Sequence, residues 1–490
     1  MKKILNILSL LFIAALATSC LYGKGFGEEA EVENTSGFKA EVSANVIIAN
    51  GEDIAIFRAL LNGEDVTAQS TLYNAQTNEA LDDMSFSTFA IGKHTFYVVY
   101  GEYRSETIEI SAVQDLDLNT KEESGLSAVL STNLIQVGKS YAAFIIRYDG
   151  KVLSADEIRK VSIYDAANDT KIEIDEDNTV GSEFSYVVAT DENGTDYVLI
   201  AYSPNKAGTR EFWFGYKTKN TRETPVAITA VTSNIPSRPA DAEPSNTSFT
   251  HRALFTQFTG TWCGNCPYMI AAFHYMFEDP TYKDKFIHTA VHNGDVFKVV
   301  MPDGRDLSNI LNTTGSYPYV LCNLTTGIQN SQVERNVANL MGAIEGAMKS
   351  EARAGIAART ELKDNMLLVR ASVKVSHTSE YYIGAWLVES DLHALQSNYT
   401  DMKDDYIDVH ENVVRIADSN TTNFMGHSLG TITKGDRADH LFVMELDPSW
   451  KTENCHLVLF VSTIQFNSLS MTNAVKTTSL TSGVDFEYMK

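Results

Sequence analysis

Arg252 to Phe277 reads RALFTQFTGTWCGNCPYMIAAFHYMF, and the fold turns on this stretch. Leu254, Phe255 and Phe258 suit a strand buried on both faces, and Thr259 to Trp262 form a turn after it. Cys263-Gly264-Asn265-Cys266 then opens a helix whose apolar positions Met269, Ile270, Phe273 and Met276 fall three and four apart. Strand, loop and helix in that order are the context a redox pair needs. Free amide groups and the dipole at a helix N-terminus stabilise a thiolate, so Cys263 is expected to attack and Cys266 to resolve the mixed disulfide. Pro267 sits in the first turn, where its missing N–H does little harm.

With Trp262 in front, the motif resembles the WCGxC core of the thioredoxin family. The resemblance implies that Trp262 covers the pair. It also implies that Pro318, within Gly315-Ser316-Tyr317-Pro318-Tyr319-Val320, is a cis-proline facing it, and that the backbone of Tyr317 binds an extended peptide. The chain departs from the family in three ways. Gly-Asn stands between the cysteines, Thr256 and Gln257 occupy the strand where thioredoxins often bury an acid, and no Asp or Glu lies between Arg252 and Cys266. Phe286 to Val291 reads as the next strand, and Leu307 to Leu311 as a short helix started by Asp306. Val320 to Leu324 and Ile328 read as closely spaced strands, and residues 332–351 as the longest helix. His288 and His292 are read as structural or surface histidines, and Cys322 as a buried thiol rather than a third redox partner. A zinc site would need a second close Cys or His pair, which is absent, so no metal and no cofactor are expected.

From Ala354 the pattern returns to strands at 354–362, 366–375, 381–388, 441–446 and 457–464, which suggests a closing antiparallel sandwich. Residues 389–439 between them read as a long irregular segment docking on the redox domain. Its acidic run Asp401 to Asp408 lacks the spacing of a calcium loop. Ser428 has the glycine spacing of a hydrolase elbow, but the strand required before it is missing.

Toward the N-terminus, residues 38–114 and 115–234 read as short strands broken by turns, the pattern of a β-sandwich. Ile91-Gly92-Lys93 before one strand and Ala207-Gly208-Thr209 before another suggest two diverged copies of an immunoglobulin-like module, read as spacers. The Pro-rich stretch 235–250 reads as a linker. At the start, MKKILNILSLLFIAALATSC has the order of a signal peptide, and small residues before Cys20 resemble a lipobox. Residues 1–19 are then removed, Cys20 is lipidated, and 20–37 form a flexible tether. A net charge of −24 argues against nucleic acid.

Taken together the chain resembles the Omp28-related outer membrane proteins of Bacteroidetes, through FTGTWCGNCP at 258–267, Tyr317-Pro318 and HENVVR at 410–415. The expectation is a multidomain α+β chain. It has two N-terminal immunoglobulin-like β-sandwiches, a thioredoxin-like α/β domain over 251–353 and a C-terminal antiparallel β-sandwich over 354–490. The resemblance places it in the outer membrane as a lipoprotein, on the periplasmic or cell-surface side. Two functions stay open: thiol–disulfide exchange on exported proteins, or non-catalytic surface binding with Cys263–Cys266 as a structural disulfide.

Overall fold

The computed structural model describes residues 37–489, apart from 176–178, 180, 192, 302–303, 420–423 and 466–467. The signal segment, Cys20 and the tether up to residue 36 lie outside the described residues. The chain is mostly β, and it divides into two compact units, residues 1–235 and 236–490.

The first unit holds two β-sandwiches. In the first, a sheet of Phe38–Val42, Ala55–Leu61 and Glu64–Asp65 packs on one of Val46–Ile48, Ile108–Val113, Gly92–Tyr100 and Thr71–Asn74 around Phe38, Phe57, Leu72 and Phe96. In the second, the sheets are Leu126–Leu130, Ala142–Tyr148, Asp196–Tyr202 and Phe184–Thr190, and Leu134–Gln136, Val226–Val231, Gly208–Tyr216, Ser162–Asp165 and Thr170–Ile172. Phe144, Ile163, Phe212 and Phe214 fill the space between them.

Several details recur in both sandwiches. Gly92 and Gly208 open strands of nine residues with φ of 133° and 131°, a conformation open to glycine but not to residues with a Cβ. Each of these strands pairs antiparallel with a later strand, and that later strand pairs parallel with a short early one. A hydroxyl seven residues ahead accepts the amide of Val98 (from Ser105) or of Phe214 (from Thr221). These shared contacts support the repeat suggested by the two glycine turns.

The second unit is built on one long sheet. Its order is Thr326–Ile328, Tyr319–Cys322, Ala253–Thr259, Phe286–His292, Val413–Asp418, Ser379–Glu389, Cys455–Gln465 and Ser468–Lys476, with His427–Ile432 also paired to Ser379–Glu389. Ala253–Thr259 is buried along its whole length, as its near-continuous apolar run requires of a strand covered on both faces. One face carries helices Pro267–Glu278 and Val333–Ala347, packed through Phe255, Phe273, Met276, Leu340 and Ile344. The other face buries Leu254, Phe258, Ile287 and Val291 against the short helix Leu307–Leu311, started by Asp306, whose carboxylate accepts the Ser308 amide.

The boundary expected at 353/354 does not interrupt the hydrogen bonding. Phe286–His292 pairs parallel with Val413–Asp418 at Ala290 and Val413, so the sheet runs from the motif region straight into the C-terminal part. A three-stranded sheet, Ala354–Lys363, Met366–Val375 and Arg437–Glu445, packs on that C-terminal part through Ile356, Leu367, Tyr381 and Leu459. The sandwich is present, and one of its layers is the same sheet that carries the motif. The segment read as irregular, 389–439, contains two strands of it, and Ser428 pairs across from Tyr382 in one of them rather than standing on an elbow.

The Pro-rich stretch 235–250 is not a free spacer beyond Ile235. Buried Lys374 pairs with Asp241 at 2.8 Å, Arg238 pairs with Asp439 at 2.7 Å, and Arg370 and Arg437 donate to the carbonyls of Pro236 and Pro239. Cations on the outer face of the three-stranded sheet need partners, and the stretch supplies them. Residues 248–250 then pair with the chain's end. Thr250 N donates to Glu487 O at 2.8 Å, Met489 N donates to Ser248 O at 2.9 Å, and Phe249 bridges to both Ala352 and Tyr488.

Candidate functional site

The strand Ala253–Thr259 delivers the chain to Gly260, where a tight loop carries Thr261 and Trp262 to the cysteines. Cys263 N donates to Gly260 O at 2.9 Å and Cys266 N to Cys263 O at 3.1 Å. Cys266 takes the N-cap position, so neither cysteine lies inside the helix, and Pro267 fills the first position, in the first turn where the sequence puts it. The two cysteines form a disulfide with their Cα atoms 5.4 Å apart. Trp262 is 46 % exposed; its indole N–H donates to Asn293 O at 2.6 Å and its ring meets Tyr317 edge to face at 5.2 Å. The Tyr317–Pro318 peptide bond is cis, and Pro318 is buried.

Cys263 is only 4 % exposed and Cys266 is fully buried. Residues 394–399, far along the chain, bond to the backbone of the loop that carries them. Gln396 is itself buried, and its side-chain N–H groups donate to Cys263 O at 2.8 Å and Gly260 O at 3.1 Å. Ser397 N donates to Thr261 O at 2.7 Å and Tyr399 N to Gly264 O at 2.8 Å. The ring of Tyr399 lies so close to Gly264 that a Cβ there would stand 2.4 Å from it, so the close approach requires glycine. A small hairpin, Leu392–His393 with Val409–His410, and a bond from Gln396 N to Asp408 hold this strap in place.

Behind the motif, Gln257 stands where the family resemblance would put an acid. Its side-chain oxygen accepts from His288 Nε2 at 2.9 Å, and Asn412 reaches the other ring nitrogen at 3.3 Å. Burial pushes the His288 pKa down to about 3, with Lys476 acting in the same direction, so the imidazole is neutral. The buried polar groups here are an amide and a neutral imidazole, neither of which takes up a proton at neutral pH. Cys322 and Cys455 are buried free thiols whose pKa burial raises to about 12, far from the reactive range.

The structure brings Cys263, Cys266, Trp262 and Tyr317 into one neighbourhood. Asp295, Gln396 and Tyr399 belong to it as well, and sequence reasoning missed them. Asp295 accepts the Thr261 amide at 2.8 Å and the His292 ring at 2.7 Å. Burial favours its neutral form, but the hydrogen bonds from His292, Thr261 and Phe297 outweigh this and hold its carboxyl below the usual range.

Residues 306–479 match the family described as Outer membrane protein Omp28. That span is about a third of the chain, and over it the sequence is similar to that family. The comparison with curated proteins found no match. Among solved structures, HBP35 of Porphyromonas gingivalis is 18 % identical, with a TM-score of 0.38, over 48 % of this chain and 76 % of that one. A domain of the outer membrane lipoprotein Omp28 from Porphyromonas gingivalis is 18 % identical over 28 % of this chain and 92 % of that one, with a TM-score of 0.17. The Escherichia coli adhesin FdeC is 11 % identical over 40 % of this chain and 64 % of that one, with a TM-score of 0.15. Likeness at this level speaks to neither activity nor ligand.

Proposed function

We propose that this chain is a lipid-anchored outer-membrane protein whose thioredoxin-like region has become a binding scaffold. Cys263–Cys266 is then a structural disulfide. The observation that carries this reading is the strap. Gln396, Ser397 and Tyr399 occupy the backbone groups of Gly260, Thr261, Cys263 and Gly264, which an incoming substrate would need to approach. The neutral Gln257–His288 pair supports it, because exchange needs a group that moves a proton to and from the resolving thiol. The two N-terminal sandwiches act as immunoglobulin-like spacers, and acyl chains on Cys20 hold the protein to the membrane.

A second reading is favoured by Trp262. Its exposed ring beside Tyr317 forms an aromatic ledge next to the disulfide, suited to an extended segment of an exported protein. In that reading the strap lifts and the pair performs thiol–disulfide exchange.

The reduction potential of Cys263–Cys266 in the mature protein separates the two. A structural bond is expected below about −300 mV. A value between about −270 and −120 mV, with mixed disulfides trapped on a Cys266→Ser variant, would replace the structural reading with exchange.

A further inference from the structure

The parallel strands Ala253–Thr259 and Phe286–His292 are joined by the motif helix, which packs on one face of the long sheet through Met269, Phe273 and Met276. After His292 the chain crosses to the other face, where the helix Leu307–Leu311 shares a core with Ile287 and Val291. Connections that part to opposite faces at the carboxyl ends of parallel strands leave a crevice there, the usual place for a ligand in such sheets. The crevice is present. Asn293, Lys298, Arg305, Asp306 and Asn309 line a cleft of about 510 Å³. Small-molecule sites measure roughly 300–1,000 Å³, so there is room for one or two rings.

Apart from Ile310 and two glycines, the walls are polar. Lys298, Arg305 and Asn309 are exposed and Asn293 is half-buried, so a ligand can reach them. Asn293 Nδ2 donates to Asn309 Oδ1 at 2.9 Å. That bond leaves the carbonyl oxygen of Asn293 and the amide group of Asn309 side by side, one an acceptor and the other a donor. Lys298 has no ion pair among the described residues. The Asp306 carboxylate in the same wall opposes a bare anion, and the two cations oppose a metal ion. Such a wall matches an uncharged ligand rich in hydroxyls, each able to accept from Lys298 or Asn309 and to donate to Asn293 or Asp306.

Trp262 stands at the rim. Its indole N–H is taken up by Asn293 O at 2.6 Å. Gly294, a wall residue with φ of 63°, lets the ring lie so near that a Cβ there would stand 3.4 Å from the indole nitrogen. The side chain is 46 % exposed with its one polar group used, so what it offers solvent is flat carbon surface. We propose that the cleft binds an uncharged pyranose sugar, as a free molecule or as the end of a glycan chain. The carbon face of the sugar ring lies on Trp262, and its hydroxyls reach Asn293, Lys298 and Asn309. The site goes beyond the proposed function and uses neither sulfur nor strap, so its failure would leave the reading of Cys263–Cys266 untouched.

The test titrates the oxidised full chain by calorimetry with the methyl pyranosides of glucose, mannose and galactose, with N-acetylglucosamine, with glucuronate, and with soluble dextran and mannan. At least one uncharged sugar is expected to saturate a single site. A polysaccharide held more tightly than its own methyl pyranoside assigns the site to a glycan chain, and equal affinity assigns it to a free sugar. Trp262→Ala is expected to weaken binding roughly tenfold or more, and Trp262→Phe to recover part of the loss. Lys298→Ala and Asn309→Ala, both at exposed positions, are expected to weaken it by roughly three- to tenfold each with the melting temperature little changed, the range set by one hydrogen bond. No saturable binding by any of these sugars, glucuronate held more tightly than every uncharged sugar, or binding indifferent to Trp262→Ala and to Asn309→Ala overturns the proposal.

Discussion

Gln396 shows how much one side chain can close. Its two best hydrogen bonds go to carbonyls on either side of the Trp262 turn, and no other described side chain donates to both. Gln396→Ala leaves those carbonyls without this donor and is expected to cost about 1–3 kcal/mol in urea unfolding. The rate at which a small thiol reduces the disulfide should rise about tenfold for each 1.4 kcal/mol of lost closure. A variant reduced no faster than the parent would show that the strap does not guard the sulfurs. At this scale the sequence is legible where chemistry is local. Cys263, Cys266, Trp262 and Pro267 lie within six residues, and strand, turn and helix periodicity frame them. Gln396, Tyr399 and Asp295 are not legible, because nothing in a glutamine or an aspartate announces a partner over thirty or a hundred residues away.

Among elements, strands with near-continuous apolar runs were readable, as were helices with a cap, such as Asp306 before Leu307–Leu311. Val413–Asp418, His427–Ile432 and Ser468–Lys476 were not. Their pairing carries register shifts at Leu387/Val388, Tyr381/Tyr382 and Val461/Ser462, and polar residues such as Asn473 and Ser428 break the alternation. The stretch 235–250 misleads in another way. Its prolines read as a spacer, but its acid and carbonyls serve a buried cationic row. Asp241 shows the consequence. Burial opposes its charge, yet hydrogen bonds from Lys374 and Tyr488 hold its carboxyl below the usual range. A carboxyl with a lowered folded pKa stabilises above its unfolded value of about 3.9 and loses that contribution as pH falls through the folded one. Asp241→Asn is therefore expected to cost about 3 kcal/mol near pH 7, since it strips the counter-charge from buried Lys374. The gap to the parent should narrow below pH ~4, measured by denaturant titration across pH.

At the scale of the whole molecule, composition and turn spacing bounded the number of sandwiches well, because such features accumulate along the chain. The join of the motif region to the C-terminal part was hidden, since it rests on a parallel pairing between residues 290 and 413 that no local pattern encodes. The membrane anchor remains a matter of sequence. Cys20→Ala is expected to move the protein from the membrane pellet to the soluble fraction with its total amount little changed, and retention in the pellet would remove lipidation as the anchor. The pairing of 248–250 with 487–489 gives the second unit a timetable. A chain that emerges N-terminus first presents Cys263 and Cys266 more than a hundred residues before Gln396 and more than two hundred before Glu487. Until Gln396 has been made, the carbonyls of Gly260 and Cys263 lack the donor it later supplies, so a disulfide formed in that interval would form before the strap is in place.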